Sequence, residues 1–360
     1  MAECFIVRRG GQVYQLPVLN SSYPQNVTVV AAASRSAMQI SQPGTPAEYT
    51  YQWYKNGSAI SGANGASVTL SGLTAAASHT VYCVVTNKAG TVTSRVATLT
   101  VKDWKPAYTY TGSSTLIDDG NYKWRIKFLT SGTLTFSSLG NGGSIDVFLV
   151  GGGGGGAGGG GAGGITSTVQ TVSPSAGTAY SIVIGSGAAG QRANTTVDAN
   201  ATRGGTTSAF GHSALGGGSG VGGAKGVVST TGSGGSGGGG YGAGAGGSNG
   251  GNGARGKATN NGWGGGSGQG TTTREFGETS GTLYAGGGAG GNFFKWTYYE
   301  TVAGGDGGGG GSAWLQAGSS GAVNTGGGGG GGYYDTSDSG NAKYPGGAGG
   351  SGIVVIRNHQ

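Results

Sequence analysis

The sequence predicts an all-β protein in three parts: an N-terminal β-hairpin, a small β-sandwich, and a β scaffold carrying a bundle of extended polyglycine helices. Three observations lead there. Short apolar runs separated by turn signals fill the first hundred residues. Glycine then changes abundance, with 8 of the 90 glycines in residues 1–102 and the other 82 in residues 103–360. Those 82 gather into runs such as 151–156, 158–161, 286–288, 307–311 and 326–332, bracketed by the apolar segments 145–150 and 353–356. The boundaries that follow are 1–22 for the hairpin, 23–102 for the sandwich, 103–110 for a linker with Pro106, and 111–360 for the glycine-rich part.

In the hairpin, strands near 4–8 and 12–16 flank Arg9-Gly10-Gly11, where glycine supplies the positive φ of a tight turn. A lone hairpin is marginal in water, so this one is expected to dock as an anchor. Phe5, Val7, Arg8, Arg9, Val13 and Tyr14 are its expected anchoring residues.

Residues 23–102 hold strand candidates at 27–32, 37–41, 49–54, 67–71, 80–86 and 91–101, with turns at Lys55-Asn56-Gly57 and Lys88-Ala89-Gly90. Evenly spaced short strands with turn signals read as a sandwich. The segments Tyr51-Gln52-Trp53-Tyr54 and Tyr82-Cys83-Val84-Val85 resemble the immunoglobulin-like fold. That resemblance places Trp53 as the buried tryptophan and Cys83 where the second cysteine lies. Met38 and Ile40 stand where the first cysteine belongs, so no inter-sheet disulfide is expected. Tyr82 is one position away from the usual corner tyrosine.

Beyond the linker, hairpins are expected between 122–128 and 133–137 and between 166–172 and 179–184. Further strands are expected at 145–150, 207–210 and 352–357. The glycine runs between them are either coil or lattice. Glycine-rich chains are random coils by default, but disordered tracts are poor in aromatics, and here aromatics interrupt the runs. Ordering backbone costs about 1–2 kcal/mol per residue, most for glycine. With no side chain to bury, only backbone hydrogen bonds can offset this. A polyproline-II helix has none internally, so the runs must bond to one another as a cooperative array pinned at its ends.

The strand-to-glycine passage 145–164, Ser181-Ile182-Val183-Ile184-Gly185, Thr207-Ser208-Ala209-Phe210-Gly211 and the ending Gly349-Gly350-Ser351-Gly352-Ile353-Val354-Val355-Ile356-Arg357 resemble the glycine-rich domain of bacteriophage tail-fibre and receptor-binding proteins. The resemblance spans about residues 108–357. It implies a virion protein, made in the host cytoplasm, that presents loops on a polyglycine-II lattice to a bacterial surface glycan or protein. It also implies other virion proteins as partners of the N-terminus and a homo-oligomer, a trimer by the habit of fibres. A capsid decoration or head-fibre protein is the alternative.

The candidate receptor-binding residues are the aromatics between glycine runs. Tyr241, Trp263 and Tyr284 come first, then the cluster Phe293, Phe294, Trp296, Tyr298 and Tyr299, and finally Trp314, Tyr333, Tyr334 and Tyr344. Tyrosine and tryptophan offer large, stiff contact area at low entropic cost.

Other chemistries are disfavoured. The formal charge of +7 puts net +5 on residues 1–102 and only +2 on the rest. With two isolated Arg-Gly-Gly copies, that is no footprint for nucleic acid. Cys4 and Cys83 lack metal-ligand spacing, and His79, His212 and His359 are too scattered for catalysis. Asp118-Asp119 and Asp335/Asp338 read as turn residues. No glycine run ends as a phosphate-binding loop, and Gly304-Gly305-Asp306 does not continue a calcium repeat. No enzyme activity, cofactor or metal is expected. The N-terminus has no signal-peptide core, and no apolar stretch approaches the roughly 20 residues of a membrane span, so membrane insertion is not expected.

Overall fold

The computed structural model describes residues 6–9, 12–31, 36–40, 49–73, 76–140, 143–192, 202–220, 238, 258–259, 262–263, 274–291, 301–313, 315–333 and 344–359. They are built from strands and extended segments, and they divide into two compact units, one mainly residues 1–107 and the other mainly 108–360.

The first unit opens with β1 (Ile6–Arg9) and β2 (Gln12–Gln15), antiparallel with Arg9 opposite Gln12. The hairpin docks within its own unit, where Asn87 Nδ2 donates to the Gln15 carbonyl at 2.7 Å. The sandwich follows as β3 (Val27–Val30), β4 (Ser36–Gln39), β5 (Thr50–Lys55), β6 (Ser58–Ala59), β7 (Ser67–Leu70), β8 (Ala77–Asn87), β9 (Gly90–Thr93) and β10 (Ala97–Lys102). One sheet has the order β3-β10-β8-β5-β6, with β9 on β8, and β4 pairs with β7.

Trp53 is fully buried at its centre, its Nε1–H donating to the Gly65 carbonyl. Met38 and Ile40 are buried in the same core, so apolar packing stands where a disulfide would. Cys83 is a free, fully buried thiol whose pKa burial pushes up to about 11. Tyr82 faces its cross-strand partner Tyr54, with stacked rings 4.9 Å apart. The expected strand 91–101 is broken because Ser94 folds in: its Oγ accepts from Cys83 N–H, and its own N–H donates to the Cys83 carbonyl.

In the second unit, residues 103–110 do not remain a linker throughout, since they end in β11 (Ala107–Tyr110). Then come β12 (Ser114–Gly120), β13 (Lys123–Phe128), β14 (Gly132–Ser138), β15 (Ile145–Val150), β16 (Thr166–Val172), β17 (Ala179–Val183), β18 (Thr207–Ala209), β19 (His212–Ala214), β20 (Ala258–Thr259), β21 (Gly262–Trp263) and β22 (Ile353–Asn358). Two five-stranded sheets form, β11-β14-β17-β18-β19 and β12-β13-β22-β15-β16, while β20 and β21 pair alone.

Both expected hairpins are therefore corrected. β13 and β14 lie in different sheets, as do β16 and β17. Each connection crosses between sheets, which turns the alternate apolar residues toward one interior. Trp124, Ile126 and Phe128 of β13 and Leu134 and Phe136 of β14 are all fully buried. A turn signal marks a reversal but does not say which sheet receives the returning strand. Asp118 and Asp119 likewise sit at the end of β12 rather than in a turn.

β15 is buried at every position, so both its faces are covered. One faces the opposite sheet. On the other, Phe148, Val150, Ile353 and Val355 pack under Tyr284, Ala285, Phe276 and Leu129.

From Val150 the chain enters run 151–157, and its bonding changes period. Gly151 and Gly154 donate to Ile165 and Ala162, Gly153 and Gly156 to Gly350 and Gly347, and Gly152 to Gly205. In return the run accepts from Ala188 and Gln191, from Gly217 and Gly220, and from Gly329 and Gly332. Every neighbour but that at Gly205 recurs every third residue, the period of a polyproline-II helix. Six neighbours enclose the run. It donates to the three that run antiparallel and accepts from the three that run parallel. Run 326–332 also has six neighbours, but it donates to the parallel runs at Gly154 and Ala157 and at Gly286 and Ala289, and accepts from the antiparallel ones at Gly161 and Gly164 and at Gly347 and Gly350.

Such a lattice leaves no room for side chains. A Cβ on Gly153, Gly154, Gly328 or Gly329 would fall 2.0, 1.8, 1.9 or 2.0 Å from a neighbouring carbonyl oxygen. These enclosed runs are among the longest unbroken glycine stretches for that reason. On the peripheral run 185–191, Ser186 and Ala189 are exposed three residues apart, one side chain per helical turn.

Candidate functional site

Alternating run direction gives the lattice two unlike ends. One adjoins β15 and β22, and its connections are the tight turns 306–308 and 323–326 beside the start of run 284–291. The other is marked by the turn at 157–159. Four outgoing runs finish there: Gln191 donates to Gly156, Gly220 to Gly155, Gly291 to Gly158 and Gly332 to Ala157. The chain re-enters beside it, with Tyr344 N–H on the Tyr333 carbonyl and Ser312, the bridge partner of Val302, donating from Oγ to Gly290. The insertions 292–300 and 334–343 therefore begin and end at one face, whereas the chain leaves there after Gly220 and rejoins at the scaffold by Glu275.

Of the aromatic candidates, Tyr344 lies at this face, 36% exposed, with its ring centroid 6.3 Å from that of Tyr333. Tyr241, Phe293, Phe294, Trp296, Tyr298, Tyr299, Trp314 and Tyr334 lie outside the described residues. Trp263 lies on β21, paired with Ala258. Tyr333 is only 4% exposed, so of the Tyr333–Tyr344 pair only Tyr344 offers surface. Of the hairpin residues, Phe5 lies outside the described residues; Val7, Arg8 and Arg9 lie on β1 and Val13 and Tyr14 on β2.

Tyr284 is a correction. It is 2% exposed and belongs to a clamp at the scaffold end of the lattice. Its hydroxyl donates to Glu275 Oε1 at 2.5 Å and accepts from Lys127 Nζ at 3.2 Å. Glu275, itself buried, pairs with Arg125 and, at 2.6 Å, with Lys127. Glu278 bridges Arg125 at 3.1 Å and Arg357 at 3.3 Å, and Arg357 pairs with Asp146 at 3.0 Å while lying over the Phe276 ring. His359 Nδ1 completes the set, 2.6 Å from Asp146 Oδ1.

Burial alone would raise the Glu275 carboxyl. Hydrogen bonds from Lys127, Tyr284 and Arg125 outweigh it and hold the group below its ordinary value. For Asp146, burial is likewise outweighed by bonds from His359, Arg357 and the Thr171 N–H. Burial and the adjacent Glu275 push the Tyr284 hydroxyl far up. Every carboxylate here is paired with a cation, so the cluster is a strut that seats segment 274–285 on the sheet. Sequence reasoning missed it because its members are spread from position 125 to 359. The one local signal is Asp146, a charge inside an otherwise apolar strand. Among the described residues, no group of three or more His, Cys, Asp or Glu could hold a metal ion.

The model of the glycine-rich domain family matches residues 129–359, well over half of the chain. The chain belongs to that family. The matched region begins just after β13 and closes after β22, so this glycine-rich domain takes in the lattice and most of the scaffold that pins it. No match was found among curated proteins. Among solved structures, the chain is similar to a Bacteroides ovatus protein, SGBP-B of the mixed-linkage glucan utilization locus, in complex with a mixed-linkage heptasaccharide. Identity is 11% and the TM-score 0.20, over 36% of this chain and 55% of that one, so the chain spans about half the length of that protein. It is also similar to fibronectin(III)-like modules of Clostridium thermocellum CbhA, at 13% identity and a TM-score of 0.22 over 56% of this chain and 94% of that one.

Proposed function

We propose that this is a non-enzymatic virion protein of a bacteriophage tail or fibre that attaches to the bacterial surface through the loop-bearing end of its lattice. One observation carries the reading: the insertions 292–300 and 334–343, which hold Phe293, Phe294, Trp296, Tyr298, Tyr299 and Tyr334, leave and rejoin the lattice at the same end, opposite the scaffold. A lattice satisfied by backbone bonds alone lets these loops vary without disturbing what supports them. Rigid support also lowers the ordering cost of binding. The hairpin 1–22 holds another virion protein.

The test is adsorption of the purified chain to intact cells of candidate host strains. The double substitution Phe294→Ala and Trp296→Ala reduces adsorption by more than about fivefold, as loss of aromatic anchors does, with thermal stability unchanged. Undiminished adsorption overturns the loop assignment. Antibody labelling of capsids rather than tails on intact virions, with no adsorption by the wild-type chain, makes it a decoration protein instead.

A further inference from the structure

A separate concavity opens at the scaffold, on the side where the edge strand of one sheet, β16, approaches the edge strand of the other, β19. It is an open cleft of about 660 Å³, within the roughly 300–1,000 Å³ of small-molecule sites. Its aromatic wall is the pair Tyr180 and Phe210, with ring centroids 4.9 Å apart and planes tilted by 42°. Ser173, Ser208 and Ser213 add hydroxyls, and His212 lies beside them. No Asp, Glu, Lys or Arg lines the space.

The backbone adds a second argument. β18 and β19 are joined by Phe210-Gly211 at φ +52° and +80°. A two-residue turn with both φ positive favours Asn-Gly, and an aromatic residue in the left-handed region is a genuine outlier. Closing the turn does not require this strain, because asparagine would close it without. What phenylalanine adds is a ring in the wall of the cleft. Strain retained beside a concavity points to a ligand. Tyr180 is held in place as well, its hydroxyl accepting from Ser175 N–H at 2.7 Å.

We propose that this cleft binds a neutral sugar unit of a glycan, stacked on the Tyr180–Phe210 wall and hydrogen-bonded to the serine hydroxyls. With no Asp, Glu, Lys or Arg in the lining, a phosphate, carboxylate or ammonium group would enter without a fixed counter-charge. A pyranose presents C–H groups to the rings and hydroxyls to the serines, matching a lining that sets two aromatic rings beside serine hydroxyls. None of these residues lies at the loop-bearing end, so the inference stands whether or not those loops adsorb to cells.

The test is binding of the full-length chain to an array of neutral, sialylated and phosphorylated oligosaccharides. A neutral glycan binds, and its affinity does not change between about 0.01 and 1 M salt, where the screening length falls from roughly 30 to 3 Å. Phe210→Asn weakens it at least about tenfold, the loss expected from removing an aromatic anchor, without lowering the melting temperature. Should that variant unfold, Ser213→Trp, at an exposed position lining the cleft, fills the space and abolishes binding. Binding of charged glycans only, no glycan binding, or neutral-glycan binding that survives both Ser213→Trp and Tyr180→Leu overturns the assignment.

Discussion

Gly329→Ala is the sharpest test of the lattice, because order predicts a large loss of stability and disorder predicts none. In a tract flexible in both states, replacing glycine by alanine restricts the folded and the unfolded chain alike and leaves stability unchanged. In the lattice, the new Cβ lies 2.0 Å from the Gly347 oxygen and 2.7 Å from the Ala348 oxygen. Contacts under about 3 Å do not occur at a real Cβ, so run 344–352 must retreat by about 1 Å. The bond from Gly347 to the Gly330 carbonyl, now 2.8 Å, then opens beyond hydrogen-bonding range, while those from Gly329 to Gly154 and from Gly161 to Gly329 are strained. A buried group left unpaired costs about 1–3 kcal/mol, so losing one bond and weakening two comes to roughly 3 kcal/mol or more. For a domain of this size that lowers the melting temperature by about 6–12 °C. The control is Gly143→Ala, where a Cβ meets nothing within 4 Å. Thermal unfolding followed by circular dichroism reads both variants. A Gly329→Ala melting point within about 2 °C of the Gly143→Ala value would refute the enclosed-run account.

Three further outcomes are expected. Glu275→Gln leaves Lys127 without its anion and Arg125 with Glu278 alone, and costs about 3 kcal/mol, the low end for a broken buried pair because both cations keep some water; denaturant titration measures it. Glu275 and Asp146 have lowered folded pKa values, so their stabilisation is present above the unfolded values of about 4.3 and 3.9 and is lost as pH falls through the folded ones. Melting temperature should therefore drop on acidification below about pH 4, and less steeply in Glu275→Gln; a pH-independent melting point speaks against the clamp. Cys83, buried with its pKa pushed up to about 11, should resist iodoacetamide at pH 8 until the first unit unfolds. Peptide mapping of alkylation reads this, and labelling of the native chain at that site contradicts the buried core.

Much of this architecture was legible in the chain. Strands 145–150 and 353–358 announce themselves as apolar runs, since a strand covered on both faces carries no polar alternation. Trp53 and Cys83 could be placed in a sandwich core, and Met38 and Ile40 ruled out its disulfide. The pairing of β13 with β22 rather than with β14, and of β16 with β15 rather than with β17, was not legible. Local turn chemistry is the same for a hairpin and for a crossing between sheets. The burial of Tyr284 was equally hidden, because its partners Lys127 and Glu275 are set by the strut and not by neighbours in the chain.

By itself the sequence determined that the glycine runs must be laterally bonded or disordered. A glycine carries no side chain to bury, and its extended helix has no hydrogen bonds of its own. Only the tertiary structure decided which run neighbours which, that runs 151–157 and 326–332 are enclosed on six sides, and that the chain leaves and rejoins the lattice at one end on either side of 292–300 and of 334–343. Those outcomes depend on the direction and register of segments far apart in the chain. Glycine, being the same at every step, carries no record of either.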